Sequence, residues 1–173
     1  MKVTNIKLSF LFEKNLFRNI NSKVIWKNDN IFYTVYQHRK NLLNITGIKT
    51  KSEIDEQKVA MQKLFHQKVL KVRIDNIFFS QKNFDNLDMS LLYNYMKNNS
   101  FFFVDYNIEL FAGMYLHPKL SCYPTIVIFR TGSYQIMGGK SFKLSYKTEI
   151  FLKKLINMFR KIPNIEKKNS LAI

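Results

Sequence analysis

The chain has 173 residues and a formal net charge of +16, from 28 basic and 12 acidic side chains. Its hydrophobic content of 46%, with 15% aromatic residues, excludes a disordered tail and suffices for one substantial core or two small fused repeats. The positive charge favours a polyanionic ligand, most commonly nucleic acid, and a solubilising surface is the alternative reading.

Several classes of site and location are disfavoured by the composition. Cys122 is the only cysteine, so no disulfide within the chain and no cysteine zinc site can form. The three histidines lack ligand spacing, and we expect no cofactor and no metal. No stretch approaches the roughly 18 apolar residues of a membrane span, and the N-terminal residues make a poor secretory signal. We therefore expect an intracellular, soluble protein with no membrane partner.

The first predicted element is a strand at residues 3–12, where apolar and polar residues alternate. Residues 71–80 repeat its signature, because the pattern Asn-Ile-x-apolar-Ser begins at both Asn5 and Asn76. A second match relates Thr46-Gly47-Ile48-Lys49 to Met137-Gly138-Gly139-Lys140. Internal repetition of this kind predicts two related structural units.

A helix is predicted after each of these glycines. The first occupies residues 49–67, with Ser52 as its cap and an apolar stripe that includes Val59 and Leu64. The second follows Gly138 and is stopped by Pro163. Residues 85–100 add a short helix that only the second unit has, since residues 13–19 take its place in the first.

Three further strands are predicted at residues 113–117, 124–130 and 133–138, with Thr131-Gly132 as the tight turn between the last two. The motifs of this region are Tyr106, Glu109-Leu110-Phe111-Ala112-Gly113, Pro118-Lys119, Ile128-Phe129-Arg130-Thr131-Gly132 and Gly138-Gly139-Lys140-Ser141.

These motifs, in this order and spacing, resemble the second repeat of the TATA-binding protein (TBP) family, with Ala112 in place of a proline. The resemblance implies an α+β fold: a two-repeat saddle in which a curved antiparallel sheet carries helices on its convex face, with the first repeat shortened. It places the first repeat at residues 1–69, with its short helix largely lost, the second at 70–163, and a flexible tail at 164–173.

The resemblance also implies a site, because the concave face of the family's saddle lies in the minor groove of DNA. Asn5 and Asn76 would lie near its centre, and Phe111 and Phe129 would be the wedges that kink the duplex. An ungapped alignment of the repeats puts Asn21 and His38 at the equivalent positions of the first half, and neither is an apolar wedge. The predicted DNA-binding residues are Asn5, Lys7, His38, Thr46, Asn76, Phe78, Phe111, Val127, Phe129 and Met137.

The function implied is that of a TBP-like transcription initiation factor that binds double-stranded promoter DNA. Its partners would be RNA polymerase and a IIB-like initiation factor that contacts Glu109 and Leu110. Such a protein would act in the nucleus, or in a cytoplasmic viral factory if it comes from a large DNA virus, whose AT-rich coding the composition resembles. No catalytic arrangement is present, so we expect neither an enzyme nor a small-molecule substrate.

Two alternatives stay open at this stage. The polar first half favours a TBP-fold subunit that works mainly through protein contacts with little DNA binding. Exposed aromatics such as Tyr36 and Phe78 would also suit a domain that binds RNA or single strands.

Overall fold

The structure, a computed structural model, describes residues 3–161 and shows nine strands and three helices in that range. Their bounds in chain order are β1 Val3–Phe12, β2 Lys23–Asn28, β3 Ile31–Tyr36, β4 Arg39–Ile48, α1 Lys51–Phe65, β5 Val69–Gln81, α2 Met89–Met96, β6 Phe102–Asp105, β7 Gly113–Pro118, β8 Thr125–Phe129, β9 Tyr134–Gly139 and α3 Phe142–Phe159. Pro163 and the predicted tail at 164–173 lie outside the described residues.

All nine strands form one antiparallel sheet in the order β2-β3-β4-β1-β5-β9-β8-β7-β6. The order is symmetric about the central pair, because β4, β3 and β2 follow β1 outward just as β9, β8 and β7 follow β5. Strand β6 and helix α2 extend only the second half. The first repeat is therefore shortened by one strand and one helix over the described residues.

The register of the central pair defines the axis that relates the halves. Ile6 pairs with Ile77, Asn5 with Phe78 and Lys7 with Asn76. A twofold rotation that exchanges the halves moves Asn5 onto Asn76 and Phe78 onto Lys7. The same rotation moves Ile6 onto Ile77, so that pair maps onto itself. The duplicated signature thus corresponds to a pseudo-twofold axis through Ile6 and Ile77.

One face of the sheet is buried beneath the helices, and alternation along the strands determines which side chains it contains. Ile6, Leu8, Phe10 and Phe12 of β1 are all fully buried, and Lys7, Ser9 and Leu11 between them turn to the other face. The remaining strands contribute a second set to the same core: Tyr33, Val35, Leu43, Ile45, Ile77, Phe79, Met114, Leu116, Ile126, Ile128, Tyr134 and Ile136.

In the first half, residues 13–22 pack as an irregular segment where the second half has a helix. Ile20 is buried, and Phe17 meets Phe65 of α1 and Trp26 edge to face, at ring distances of 5.8 and 6.1 Å. Trp26 in turn stacks on Tyr33 at 5.0 Å. An aromatic cluster therefore holds this segment, in the part of the chain where the second half has a helix.

The helix starts follow from local hydrogen bonds. Thr50, and not Ser52 as the sequence predicts, caps α1: its hydroxyl accepts from the Glu53 N–H at 3.2 Å, while the Glu53 carboxylate accepts from the Lys49 N–H at 2.9 Å. Asp88 caps α2 by accepting from the Leu91 N–H at 3.0 Å, and this bond holds the pKa of Asp88 below its usual value.

The predicted apolar stripe of α1 is partly wrong. Ile54 and Met61 are buried, but Val59 and Leu64 are more than half exposed. The buried stripe is therefore narrower than the sequence suggests, and Phe65 packs partly buried beside it, edge to face with Phe12 at 5.6 Å. The sequence predicts that the first repeat ends at residue 69 and the second begins at residue 70, and this division stays a prediction. Strand β5 begins at Val69, the last residue of the predicted first repeat.

We expect the two pseudo-equivalent glycines to differ in their tolerance of a side chain. Gly47 and Gly138 have φ values of +99° and +79°, so alanine at either costs about 1–2 kcal/mol of backbone strain. At Gly47 the added methyl would also collide with the backbone oxygen of Asn30, whereas nothing lies within 4 Å at Gly138. Urea unfolding of Gly47→Ala should therefore show the larger loss of stability, and equal losses would contradict this packing.

The buried pair formed by Tyr134 and Glu149 should make stability depend on alkaline pH. The Tyr134 hydroxyl donates to Glu149 Oε1 at 2.9 Å, and burial, this hydrogen bond and the glutamate charge raise the pKa of Tyr134 above its usual value. A raised folded-state pKa contributes stability below about pH 10, the unfolded value, and this contribution is lost as pH rises further. Tyr134→Phe should flatten that alkaline loss in pH-dependent urea unfolding.

At neutral pH the same variant leaves the 3% exposed Glu149 without one donor, which should cost about 1–3 kcal/mol. Tyr33→Phe is the matched control, since its hydroxyl donates at 2.7 Å to the neutral, half-buried Gln57 and its loss should cost only about 0.5–1.5 kcal/mol. A larger loss in the control would contradict this assignment.

Candidate nucleic-acid interface

The sheet face opposite the helices, called the open face below, is formed by the strand residues that alternate with the core. The side chains it carries in the first half are Lys7, Ser9, Leu11, Lys23, Ile25, Lys27, Phe32, Thr34, Tyr36, Leu42, Asn44 and Thr46. Those in the second half are Phe78, Ser80, Phe103, Asp105, Tyr115, His117, Thr125, Val127, Phe129, Gln135 and Met137. Most of the predicted DNA-binding residues are thus brought to one surface.

Asn5 and Asn76 are held in the same way, one in each half. Asn5 Oδ1 accepts from the Gly47 N–H at 2.8 Å, and Asn76 Oδ1 accepts from the Gly138 N–H at 2.7 Å. Because both glycines have positive φ, each strand turns its N–H toward the neighbouring central strand. The two asparagines are therefore equivalent under the pseudo-twofold and have fixed orientations.

This geometry also fixes which end of each amide faces outward. A backbone N–H must meet the amide oxygen, so the NH₂ group is turned away from the glycine. Within residues 3–161 neither NH₂ group donates to another protein group. The centre of the open face therefore carries two symmetric hydrogen-bond donors.

Aromatic rings line the open face in the second half. Phe111, which is 41% exposed, meets Phe129 edge to face at 5.8 Å and lies 5.2 Å from Tyr115. Tyr115 stacks on His117 at 5.4 Å with the rings 2° from parallel. The two predicted wedges are thus neighbours on this surface, and sequence reasoning missed Tyr115 and His117, which the alternation of β7 could have shown.

Val127 is less accessible than its predicted contact with DNA requires. It belongs to the open face, opposite Tyr115 and Gln135, but is only 1% exposed. Gly113 lies diagonally across from it on β7, and a methyl group added at Gly113 would come within 2.6 to 3.0 Å of Phe111, Val127 and Phe129. The two phenylalanine rings therefore cover Val127, and it cannot touch a ligand while they stay in place.

The strand register also corrects the alignment of the two halves. The sequence puts His38 at the position of Phe129, but Phe129 pairs with Gly113 in β7 and Tyr36 pairs with Lys23 in the equivalent strand β2. Tyr36 is therefore the counterpart of Phe129, and His38 lies in the following turn, 5.7 Å from the Tyr36 ring.

The ungapped alignment fails because the first half has a longer hairpin at this point. Eight residues lead from Tyr36 to Asn44, but six lead from Phe129 to Gln135, and the register between β3 and β4 shifts between Val35 and Tyr36. Asn21 lies two residues before β2, just as Phe111 lies two residues before β7, so its predicted position agrees with the strands.

The central part of the open face in the first half carries a polar cluster with one carboxylate, whereas its outer strands β2 and β3 add the exposed apolar side chains of Ile25, Phe32 and Tyr36. Ser9, which is 2% exposed, has its hydroxyl within hydrogen-bond distance of Asn44 Oδ1 at 3.1 Å and of the Asp75 carboxylate. Arg73 Nε donates to Asp75 Oδ1 at 2.6 Å. A shallow cleft of about 380 Å³ next to this cluster includes three cations, Arg39, Lys71 and Arg73.

Asp75 reaches this face because of a β-bulge. The register of β1 on β5 shifts between Lys7, which pairs with Asn76, and Leu8, which pairs with Ile74. Asp75 is left without a pairing partner, and its side chain turns to Ser9. Sequence reasoning missed both Asp75 and Arg73, since no single-strand pattern reveals a bulge.

The remaining predicted residues are distributed as follows. Lys7 is exposed, and Thr46, Phe78, Phe129 and Met137 are half-exposed on the open face. Glu109 and Leu110 lie on the β6–β7 loop, away from the sheet surface, and Leu110 is 84% exposed. Asn107 organises this loop: its side chain accepts from the Glu109 N–H at 3.1 Å and its carbonyl from the Phe111 N–H at 2.9 Å.

Two kinds of site are absent from residues 3–161. They contain no group of three or more His, Cys, Asp or Glu side chains that could hold a metal ion. None of the helices in this range is both long and apolar enough to pass through a lipid bilayer.

Comparison with known proteins gives a match in structure and none in sequence. No model of a known protein family matches the chain, and no curated protein matches it. Among solved structures, the TBP of Methanococcus jannaschii matches with a TM-score of 0.60 and 16% identity, over 91% of this chain and 98% of that chain. At this identity the likeness establishes the fold. The nine-stranded curved antiparallel sheet with its three helices is therefore a TBP-like saddle of the α+β type.

Proposed function

We propose that this protein is a TBP-like transcription initiation factor that binds promoter DNA in the minor groove through its open face. The observation that carries the proposal is the symmetric pair of asparagine amides, each fixed by a glycine N–H with its NH₂ group turned outward. In the minor groove, A·T pairs present only acceptors, adenine N3 and thymine O2. Two donors at the centre of the face are complementary to that pattern.

Charge and aromatic side chains support the same proposal. The net charge of +16 favours a polyanion, and Lys7, Arg39, Lys71 and Arg73 lie on or beside the open face. In the second half, Phe111 and Phe129 present an apolar pair of the kind that enters between base steps. Within the proposal, Asn5 and Asn76 contact bases, Lys7, His38 and Thr46 contact the first half-site, and Phe78, Phe111, Phe129 and Met137 contact the second.

The loop around Glu109 and Leu110 extends the proposal to partners. It offers one carboxylate and one 84% exposed leucine on a turn ordered by Asn107. An acidic, apolar contact of this kind suits a basic surface, which we assign to a IIB-like factor that brings RNA polymerase to the bound promoter.

One observation favours the second candidate function, a TBP-fold subunit that acts mainly through protein contacts. Asp75 and Asp105 each place a carboxylate on the open face, where a phosphate backbone would repel them. The pairing of Asp75 with Arg73 at 2.6 Å offsets one of these charges, and the net charge of +16 favours a polyanion, so we rank DNA binding first.

The affinity of the full-length protein for an AT-rich duplex tests the proposal. Binding through about six phosphate contacts should weaken roughly 10³-fold between 50 and 200 mM salt. Asn5→Asp and Asn76→Asp should each weaken it by a further factor of ten or more, because the carboxylate still accepts from the glycine N–H but cannot donate to a base. Anisotropy titration measures both effects, and urea unfolding should show little change in stability.

Asn98→Asp is the matched control, since it makes the same charge change at an exposed turn after α2. It should lower the affinity less than twofold. A flat salt dependence on every duplex would favour the protein-contact subunit, and tighter binding to single-stranded RNA or DNA would favour a domain that binds RNA or single strands.

The two halves should contribute unequally to bending of the duplex. Phe111→Ala and Phe129→Ala should each reduce the bend, because an unstacked step costs a few kcal/mol unless an apolar side chain fills it. Asn21→Ala, at the pseudo-equivalent of Phe111, should leave the bend unchanged. Energy transfer between dyes on the two duplex ends measures the angle, and an unchanged bend in both phenylalanine variants would remove their role as wedges.

A further inference from the structure

A cleft on the helix-covered side of the second half is unused by the proposed DNA contacts. It has a volume of about 560 Å³ and lies between α3 and the end of the β6–β7 hairpin opposite the Glu109 loop. Phe102 and Phe151 stack at 5.5 Å to form its wall. Phe101 and Leu120 stand at its mouth, 68% and 59% exposed.

Hydrogen bonds fix the two loops that form the mouth. The Lys119 N–H donates to the Phe101 carbonyl at 2.9 Å, and Lys119 Nζ donates to the Asn99 carbonyl at 3.2 Å. The Phe101 N–H donates to Asn99 Oδ1 at 2.8 Å. The apolar surface is therefore held open by its own backbone, which lowers the entropy cost of binding.

The charge around the cleft has one sign. Residues 97–103, 117–124 and 141–154 contain six lysines and one carboxylate, Glu149. Glu149 is 3% exposed and is already paired with Lys153 at 3.0 Å. Lys119 and Lys147 belong to the cleft lining itself. An apolar cleft bordered by lysines is complementary to an acidic segment with apolar anchors.

We propose that this cleft docks an acidic segment of a partner protein, with an aromatic or leucine side chain inserted against Phe102 and Phe151 and its carboxylates paired with Lys119 and Lys147. The cleft opens on the helix-covered side, so a partner can bind there while the open face is occupied; Lys119 Nζ lies 5.1 Å from the ring of Phe103 on the open face and is near both surfaces. The cleft also lies at the opposite end of the β6–β7 hairpin from Glu109 and Leu110, so it is distinct from the contact assigned to a IIB-like factor.

The test uses the full chain and a dye-labelled synthetic peptide of 12 residues containing only Asp, Glu, Phe and Leu. Lys147→Glu and Leu120→Glu should each weaken peptide binding about tenfold, the loss of one charge pair or one apolar contact. Lys51→Glu, an exposed lysine in the first turn of α1, is the matched control and should weaken binding less than twofold. A peptide with Ser for every Asp and Glu, and one with Ala for every Phe and Leu, should both bind at least tenfold more weakly.

Amide chemical shifts of the unsubstituted protein give a readout that does not depend on any variant folding. Titration with the peptide should shift residues around Phe101, Leu120 and Phe151, and a saturating AT-rich duplex should leave those shifts unchanged. Shifts confined to Asn5, Asn76 and Phe78, or release of the peptide by duplex, would show that the peptide imitates DNA on the open face and would overturn the proposal. Nuclear Overhauser contacts from residues 162–173 to Leu120 in the free protein would show that the chain fills its own cleft and would also overturn it.

Discussion

The antiparallel pairing of β1 with β5, centred on Ile6 and Ile77, is the constraint on which the rest of this structure depends. Both isoleucines are fully buried, and their pair maps onto itself when the halves are exchanged. Because register fixes which face every side chain occupies, this one pairing sets both the core beneath the helices and the composition of the open face. It also places Asn5 and Asn76 one residue from the axis, each within reach of a glycine on the adjacent strand.

The same symmetric framework carries two chemically different halves. In the second half Phe111, Phe129 and Tyr115 contact one another in an aromatic cluster. The first half offers a serine–asparagine–carboxylate cluster with cations around it, and its aromatic rings on this face, Phe32 and Tyr36, both belong to β3. The core tolerates this difference because alternation separates the two faces, so open-face residues can change without disturbing the packing under the helices. A duplicated fold can therefore keep its shape while its halves diverge in what they contact.

Three surfaces of the second half are separated by the geometry of one hairpin. Strands β6 and β7 present one face to the open side, end at the ordered Glu109 loop, and at their other end form the apolar cleft with α3. The first half has no counterpart of β6 or α2 within residues 3–161, so it lacks the elements that build the second and third of these surfaces. The extra strand and helix of the second half thus add contact surface as well as core.

The sequence alone determined the central features of the fold, because they rest on local signals: the alternation of residues 3–12, the repeated Asn-Ile-x-apolar-Ser pattern, and the matched Gly47 and Gly138, each followed by a helix. Only the tertiary structure decided what depends on hydrogen-bond register between distant segments. Because the β3–β4 hairpin is longer, Tyr36 and not His38 is the counterpart of Phe129. The bulge at Asp75 turns a carboxylate to the open face, and the rings of Phe111 and Phe129 cover Val127. Each of these features depends on which residues pair between strands that are far apart in the chain. The periodicity within one strand contains no information about that pairing.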